Sequence, residues 1–166
     1  MTADAETGRT ASPWDVALRL LGVRARSRHE MRERLLRRGF ADDVVEDVMA
    51  RLDRAGLLDD ADFAAEWVRS RHAYSGRGRI ALKQELRSKG IDAEVIDEAL
   101  GDISPDTERV NAVSMATKKL AGMRVDLTDR AERDKAFRRL AGVLSRRGYD
   151  QSTVIDVVTE VLGTRS

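Results

Sequence analysis

The sequence contains no cysteine, only two prolines and few aromatic residues. Because it lacks thiols, the chain forms no disulfide, no thiolate metal site and no cysteine nucleophile, which agrees with a reducing cytoplasm. No apolar run reaches the ~20 residues of a membrane span. The first twelve residues lack the apolar core of a signal peptide, so they are expected to form a disordered tail. Since proline is scarce and aliphatic residues dominate the apolar share, the expected fold class is all-α.

The titratable residues give little support to a catalytic or metal site. His29 and His72 are the two histidines, they are far apart in the chain, and both are expected on the surface. No His, Asp and Glu cluster has metal-ligand spacing. Paired acids such as Asp42 and Asp43 stand at predicted helix starts, where capping explains them. The Gly/Arg turn at residues 75–79 lacks the spacing of a phosphate loop and follows no strand. We therefore expect no enzyme activity, metal or cofactor.

Three glycines, Gly39, Gly90 and Gly148, end predicted helices in the same sequence context. A basic residue precedes each glycine, and apolar residues recur at fixed distances. Met31, Leu82 and Leu140 stand eight residues before the three glycines. Leu35, Leu86 and Leu144 stand four residues before them, and Phe40, Ile91 and Tyr149 stand one residue after. This pattern predicts three tandem three-helix repeats that form an elongated, curved array. The expected boundaries are a tail at 1–12 and repeats at 13–58, 59–103 and 104–163.

Two serines mark predicted helix starts. Ser27 with Glu30 three residues later has the pattern of a capping box, and Ser104 stands before Pro105, which suits the first helical position. The helix after Ser104 is expected to bury its large apolar residues, Val110, Val113, Met115 and Leu120.

Charge is distributed in alternating bands, although the formal net charge is only +1. The bands at residues 19–38, 69–89 and 118–147 each sum to +6, whereas those at 42–62 and 92–108 sum to −6 and −7. Ordinary solvated helix faces are one explanation. Basic helices that touch a nucleic-acid backbone are a second, and a protein partner with alternating charge is a third.

The middle repeat carries the most concentrated candidate contact surface, on two predicted helices and the turn between them. Arginine predominates there, and its guanidinium pairs with carboxylate or phosphate through two parallel hydrogen bonds. Trp67 lies on the apolar stripe of the first helix and is expected in the core. The predicted partner- or DNA-binding residues are Arg69, Arg71, Arg77, Arg79, Lys83, Arg87 and Lys89.

The stretch GLLDDADFAAEWVRSRHAYSGRGRIALKQELRSKGI, at residues 56–91, resembles the centre of the bacterial RecX family. The tandem repeats with their basic-Gly-apolar helix ends are similar as well, and the resemblance extends from about Val16 to Leu162. Two positions depart from the family pattern. Asp62 stands where members commonly carry Arg. The turn at residues 75–78 reads Ser-Gly-Arg-Gly in place of Gly-Tyr-Gly-Pro, which predicts a looser and more basic turn.

The resemblance implies a regulator of homologous recombination, DNA repair and the SOS response. Family members lie along the groove of the RecA–single-strand DNA filament and mostly inhibit its ATPase, recombinase and strand-exchange activities. It implies a cytoplasmic monomer that has RecA as partner, single-strand DNA as a second partner, and no membrane association. Two alternatives stay open from the residues alone. One is a protein that binds single-strand or duplex DNA without RecA, and the other is a scaffold for a different protein.

Overall fold

The structure is a computed structural model that describes residues 10–164. Within that range the chain forms nine α-helices and no strand. No described helix is both long and apolar enough to cross a bilayer. The predicted tail at 1–12 lies largely outside the described residues. In chain order the helices are α1 Pro13–Val23, α2 Arg28–Arg37, α3 Asp42–Arg54, α4 Asp60–Ser75, α5 Arg79–Ser88, α6 Ala93–Gly101, α7 Pro105–Ala121, α8 Arg130–Arg146 and α9 Gln151–Gly163.

Serine side chains begin helices where the sequence predicted them. The Ser27 hydroxyl accepts a hydrogen bond from the Glu30 amide at 3.2 Å, and the Glu30 carboxylate accepts one from the Ser27 amide at 3.3 Å. This reciprocal pair is a capping box, and it satisfies two amides that lack partners within the helix. Ser104 caps α7 with Pro105 in the first helical position. Both predicted starts are confirmed.

The three predicted glycine helix ends are also confirmed. Gly39, Gly90 and Gly148 have φ angles of +89°, +71° and +94°, a region that side chains with a Cβ adopt only under strain. The apolar columns around them are buried, except that Phe40 is only partly buried. The leucines four residues before each glycine have no exposed surface: Leu35, Leu86 and Leu144.

The chain divides into two compact units, one ending at Phe63 and the other beginning at Ala64. In the first unit, buried side chains from α1, α2 and α3 form one core, which includes Ala17, Met31 and Leu52. In the second unit, α7, α8 and α9 supply a core of their own. Its fully buried members include Leu140, Leu144, Val157 and Val158.

Helix α7 buries Leu120 as expected, and Val113 and Met115 pack partly buried against the core, but Val110 does not. Val110, Val113, Met115 and Leu120 were expected on the buried face. Val110 is instead 65% exposed, and alanines together with Leu120 form the stripe that is buried. Those alanines are Ala112 and Ala116. Small side chains let a helix approach its neighbours closely. A prediction that looks only for large apolar residues therefore misses alanine as part of the buried face.

In the second unit, the α4–α5 turn lies directly against the α8–α9 turn. The Gly78 amide donates to the Arg147 carbonyl at 2.8 Å, and the Ile80 amide donates to the Gly148 carbonyl at 3.1 Å. A Cβ on Gly78 would lie 2.4 Å from the Gly148 oxygen, and a Cβ on Gly148 would lie 2.3 Å from that of Ala81. The two glycines therefore permit a backbone contact that side chains would prevent. We call this contact the glycine joint.

Side chains of the α8–α9 turn strengthen the glycine joint. Arg147 donates through Nη1 to the Ser75 carbonyl, and the Tyr149 hydroxyl donates to the Gly76 carbonyl, both at 2.9 Å. Burial, together with the nearby charge of Glu108, raises the pKa of Tyr149 to about 12, against the opposing charge of Arg147. The hydroxyl therefore stays protonated and keeps donating. The turn that was expected to be loose is held to the third repeat by these hydrogen bonds, and Arg77 adds one from its Nη1 to the Arg146 carbonyl at 3.5 Å.

Alanine at Gly148 and at Gly39 should separate backbone strain from steric contact. Both glycines have positive φ, but a Cβ on Gly39 would meet nothing within 4 Å. We expect Gly39→Ala to lower the unfolding free energy of its unit by about 1 kcal/mol, and Gly148→Ala to cost about 2–4 kcal/mol. Native-state hydrogen exchange measures both losses helix by helix. Equal losses at the two sites would contradict the close contact at the glycine joint.

Candidate functional site

Two of the predicted contact residues, Arg71 and Arg77, converge on one carboxylate inside the second repeat. Arg71 approaches Glu85 through Nη2 at 2.7 Å and Nε at 3.3 Å, and the Nε of Arg77 lies 3.3 Å from the same carboxylate. The Trp67 indole also donates to Glu85, at 2.9 Å. Glu85 therefore neutralises much of the charge of both arginines and links α5 to α4 and the turn.

Burial raises the pKa of the Glu85 carboxyl, but its partners outweigh that effect. Hydrogen bonds from Arg71 and Trp67, with the positive charges of Arg71 and Arg77, leave the pKa below its ordinary value. The charged form is therefore the one that the fold stabilises.

Trp67 was expected in the core, and the structure places it half-buried beneath two cations. The Arg71 guanidinium lies 5.5 Å from the ring centroid, and the Lys89 ammonium lies 5.0 Å from it. These distances suit cation–π attraction. Lys89 therefore covers an aromatic ring of its own repeat, in addition to being a candidate contact residue.

Arg79 connects three elements of the second unit. Its Nη1 donates to the carbonyls of Leu100 and Ile103 at 3.1 and 3.2 Å, where α6 ends. Its backbone amide donates to the carboxylate of Glu108 at 3.1 Å, so that α7 supplies the cap for the start of α5. Arg79 thus contributes to the fold, a role that the sequence did not indicate.

The remaining three predicted contact residues project toward solvent. Among the described residues, Arg69 forms its ion pair with Glu66, one turn away on the same exposed helix face, at 2.6 Å. The Lys83 ammonium lies 3.8 Å from Asp97. The Arg87 side chain is exposed and makes no ion pair with any described residue. The seven cations are thus one stretch of sequence but not one surface, and Arg69, Lys83 and Arg87 are the most available to a partner.

The expectation that both histidines lie on the surface is wrong for His72, which is 7% exposed. Its Nδ1 lies 2.9 Å from the Arg77 carbonyl, and its Nε2 lies 3.1 Å from the Asn111 amide nitrogen. We assign the proton to Nδ1, because the carbonyl can only accept and the amide nitrogen can only donate. The sequence did contain a sign of this burial, because His72 follows Val68 by four residues and so lies on the same face of α4 as that buried valine. Among the described residues, no group of three or more histidine or acidic side chains is arranged to hold a metal.

The sequence did not identify a basic groove in the second unit as a candidate site. It did show the positive charge of this region, in the band at residues 118–147. The groove comprises two adjoining cavities, of about 480 Å³ and about 750 Å³, beside α7 and α8. Lys118 and Lys119 line both cavities, so the two lie side by side. The sequence did not reveal the groove because its walls come from two different helices, α7 and α8, whose packing only the structure shows. We call this surface the α7–α8 groove, and its charged lining consists of Arg77, Lys118, Lys119, Arg124, Glu132, Lys135, Arg139, Arg146 and Arg147.

Several relatives of this chain carry the name regulatory protein RecX. Family models of the first and second three-helix domains of RecX match residues 14–52 and 59–100. The regulatory protein RecX of Mycolicibacterium smegmatis is 51% identical over 146 residues, which cover 87% of this chain and 77% of that protein. The chain belongs to the RecX family. The RecX of Amycolatopsis mediterranei is 40% identical over 148 residues, covering 89% of this chain and 82% of the relative.

Solved RecX structures share the fold at lower sequence identity. The crystal structure of RecX from Lactobacillus salivarius superposes with a TM-score of 0.75 at 20% identity, over 90% of this chain and 94% of that one. A second crystal structure, of a regulatory protein RecX, gives a TM-score of 0.73 at 22% identity, over 89% of this chain and 70% of that one. The predicted all-α fold of three-helix repeats is therefore confirmed, as is the RecX resemblance.

Replacing Arg79 or Arg87 by alanine should distinguish a structural arginine from an available one. Arg79→Ala leaves the carbonyls of Leu100 and Ile103 without their charged donor, while the backbone amide still donates to Glu108. We expect the unfolding free energy to fall by about 2 kcal/mol. Arg87→Ala removes an exposed side chain and should change it by less than about 0.5 kcal/mol. Urea unfolding followed by circular dichroism measures both. Similar losses for the two variants would overturn the role given to Arg79.

The lowered pKa of Glu85 predicts an acid-dependent loss of stability. The carboxylate stabilises the fold fully above its ordinary pKa of 4.5, and this contribution disappears as pH falls through the lowered value. The difference in unfolding free energy between the unsubstituted protein and Glu85→Gln should be constant at neutral pH and shrink in acid. Unfolding from about pH 7 to about pH 3 provides the measurement. A difference that stays unchanged throughout would contradict the interactions assigned to Glu85.

Proposed function

We propose that this RecX-family chain binds the RecA–single-strand DNA filament and mostly inhibits its ATPase, recombinase and strand-exchange activities. The observation that carries the proposal is 51% identity, over 87% of the chain, to a protein named regulatory protein RecX. We also propose that the chain acts as a monomer and by binding alone, without a cofactor. The exposed cations of the second repeat support action by binding to a negatively charged partner.

The contact surface that we propose is the exposed part of the second repeat. Arg69 and Arg87 reach solvent from α4 and α5. The Lys83 ammonium has the Asp97 carboxylate as its neighbour, at 3.8 Å. Cations at the rim of an interface steer a negatively charged partner and contribute modestly to affinity. Arg71, Arg77 and Lys89 lie behind them, partly engaged by Glu85 and Trp67. The proposed surface therefore acts through exposed charge and needs no rearrangement of the core.

A triple variant with alanine at Arg69, Lys83 and Arg87 should weaken inhibition of the RecA filament about tenfold. Each exposed contact contributes less than ~1 kcal/mol, and 1.4 kcal/mol corresponds to a factor of ten. The measurement is ATP hydrolysis by RecA on single-strand DNA while the protein is titrated in. Arg19, Arg37 and Arg38, which are exposed in the first repeat, provide a charge-matched alanine control.

Comparing the two triple variants with the unsubstituted protein tests two claims separately: that the chain inhibits the RecA filament, and that the second repeat makes the contact. If the unsubstituted protein leaves RecA hydrolysis unchanged, the proposed function is wrong. If it inhibits but the control triple loses as much inhibition as the second-repeat triple, the function stands and the surface assignment fails. If the second-repeat triple variant loses inhibition and the control triple variant keeps it, both the proposed function and the proposed contact surface are supported.

A further inference from the structure

Met115 contacts the turn that the glycine joint holds. A Cβ on Gly76 would overlap the Met115 methyl group, so the end of this side chain is in van der Waals contact with the Gly76 backbone. Gly76 has a φ angle of +59°, and its carbonyl accepts the hydrogen bond from the Tyr149 hydroxyl. A change in the size or polarity of the Met115 side chain therefore acts directly on the α4–α5 turn.

The Met115 side chain is also accessible to small solutes. It is partly buried and lines the cavity of about 750 Å³ in the α7–α8 groove. Met31 and Met49, in contrast, are 0% and 3% exposed. Met123 is partly buried like Met115, but it lines the adjoining cavity, which no residue of the glycine joint lines. Met115 is thus the described methionine that both meets solvent and contacts the α4–α5 turn.

A thioether that meets solvent is oxidised by hydrogen peroxide. A lone pair of the sulfur attacks one peroxide oxygen, and the O–O bond breaks. The proton of the transferred hydroxyl passes to the second oxygen, which departs as water. The sulfur is oxidised by two electrons to a sulfoxide, and the peroxide is reduced. Cations that line the same cavity stabilise the negative charge on the leaving oxygen: Arg77, Lys118, Lys119, Arg146 and Arg147.

A sulfoxide at Met115 competes with contacts that hold the α4–α5 turn. Its oxygen is polar and accepts hydrogen bonds, and it forms beside Arg77 and Arg147. The guanidinium groups of these two arginines donate to backbone carbonyls across the two turns, at 3.5 and 2.9 Å. The new oxygen also adds volume to a contact that has no room for a Cβ on Gly76. Both effects weaken the attachment of the turn.

We propose that Met115 is a reversible oxidation site, at which a hydroperoxide forms a methionine sulfoxide that releases the α4–α5 turn from the glycine joint. The proposal goes beyond the proposed function, because it assigns a modification to the chain alone. Reduction by methionine sulfoxide reductases restores the thioether and with it the contact. Every measurement below is made without RecA, so its failure is distinguishable from failure of the proposed function.

The test is amide hydrogen exchange of the full chain before and after treatment with hydrogen peroxide. The amides of Gly78 and Ile80 donate across the glycine joint and have no partner within α5, so their protection reports on that contact. We expect both to exchange about tenfold faster after oxidation, the effect of losing a hydrogen bond of ordinary strength. The amide of Leu140, inside α8, should keep its rate. Peptide mass spectrometry identifies the methionines that carry the added oxygen.

Leucine at Met115 and leucine at Met123 form a matched pair of variants, since each removes one sulfur from a partly buried side chain. Leucine is close to methionine in volume, and packed cores tolerate this exchange. Met123→Leu should keep the faster exchange after peroxide treatment, whereas Met115→Leu should lose it. Faster exchange that persists in Met115→Leu would overturn the proposal.

The unsubstituted chain provides a test that needs no variant. The proposal is wrong if Met115 stays reduced at a peroxide concentration that oxidises Met123. It is equally wrong if Met115 is oxidised and the amides of Gly78 and Ile80 exchange as before. Treatment with the two stereospecific methionine sulfoxide reductases should return the slow exchange, because these enzymes reverse methionine oxidation alone. Exchange that stays fast once Met115 is reduced again would contradict the proposal.

Discussion

The contact between Gly78 and Gly148 is the constraint on which the second unit depends. Backbone amides of one turn donate to backbone carbonyls of the other, and a Cβ at either position would prevent the approach. Arg147 and Tyr149 then close over the same turn. Because the joint consists of main-chain groups, its geometry does not depend on the conformation of a long side chain. The segment that contains Tyr74 and Arg77 is thereby held beside α7 and α8, where the cations of the α7–α8 groove lie.

Acidic residues determine which cations are available. Glu85 engages Arg71 and Arg77, and Glu108 accepts from the start of α5 while the guanidinium of Arg79 closes the end of α6. These contacts are within the second unit, so part of the alternating charge in the sequence serves internal packing. What remains is exposed charge on the second repeat and in the α7–α8 groove. A +6 band in the sequence thus overstates how much charge a partner meets, and only the tertiary contacts reveal the difference.

Local signals predicted the architecture well, because a helix start or end depends on a few neighbouring residues. The Ser27–Glu30 capping box and the left-handed Gly39, Gly90 and Gly148 are examples. Prediction was poorer where contacts join distant residues. Asn111 is 39 residues from His72, and nothing local distinguishes that histidine from a surface one except its spacing from Val68. The same limit applies to Arg79 and the groove: the sequence indicates the charge, whereas packing decides which carbonyl or which neighbouring helix it meets.

The glycine joint also has a consequence for how a partner is selected. No flexible linker separates the exposed cations of α5 from the α7–α8 groove, so their spacing is constant. Where one partner reaches two charged surfaces at a constant spacing, its second contact forms at an effective concentration set by geometry. A partner whose negative charges match that spacing gains avidity, whereas one with a different spacing engages a single surface. Two residues without side chains therefore fix the spacing between the proposed contact surface of the second repeat and the cations of the α7–α8 groove.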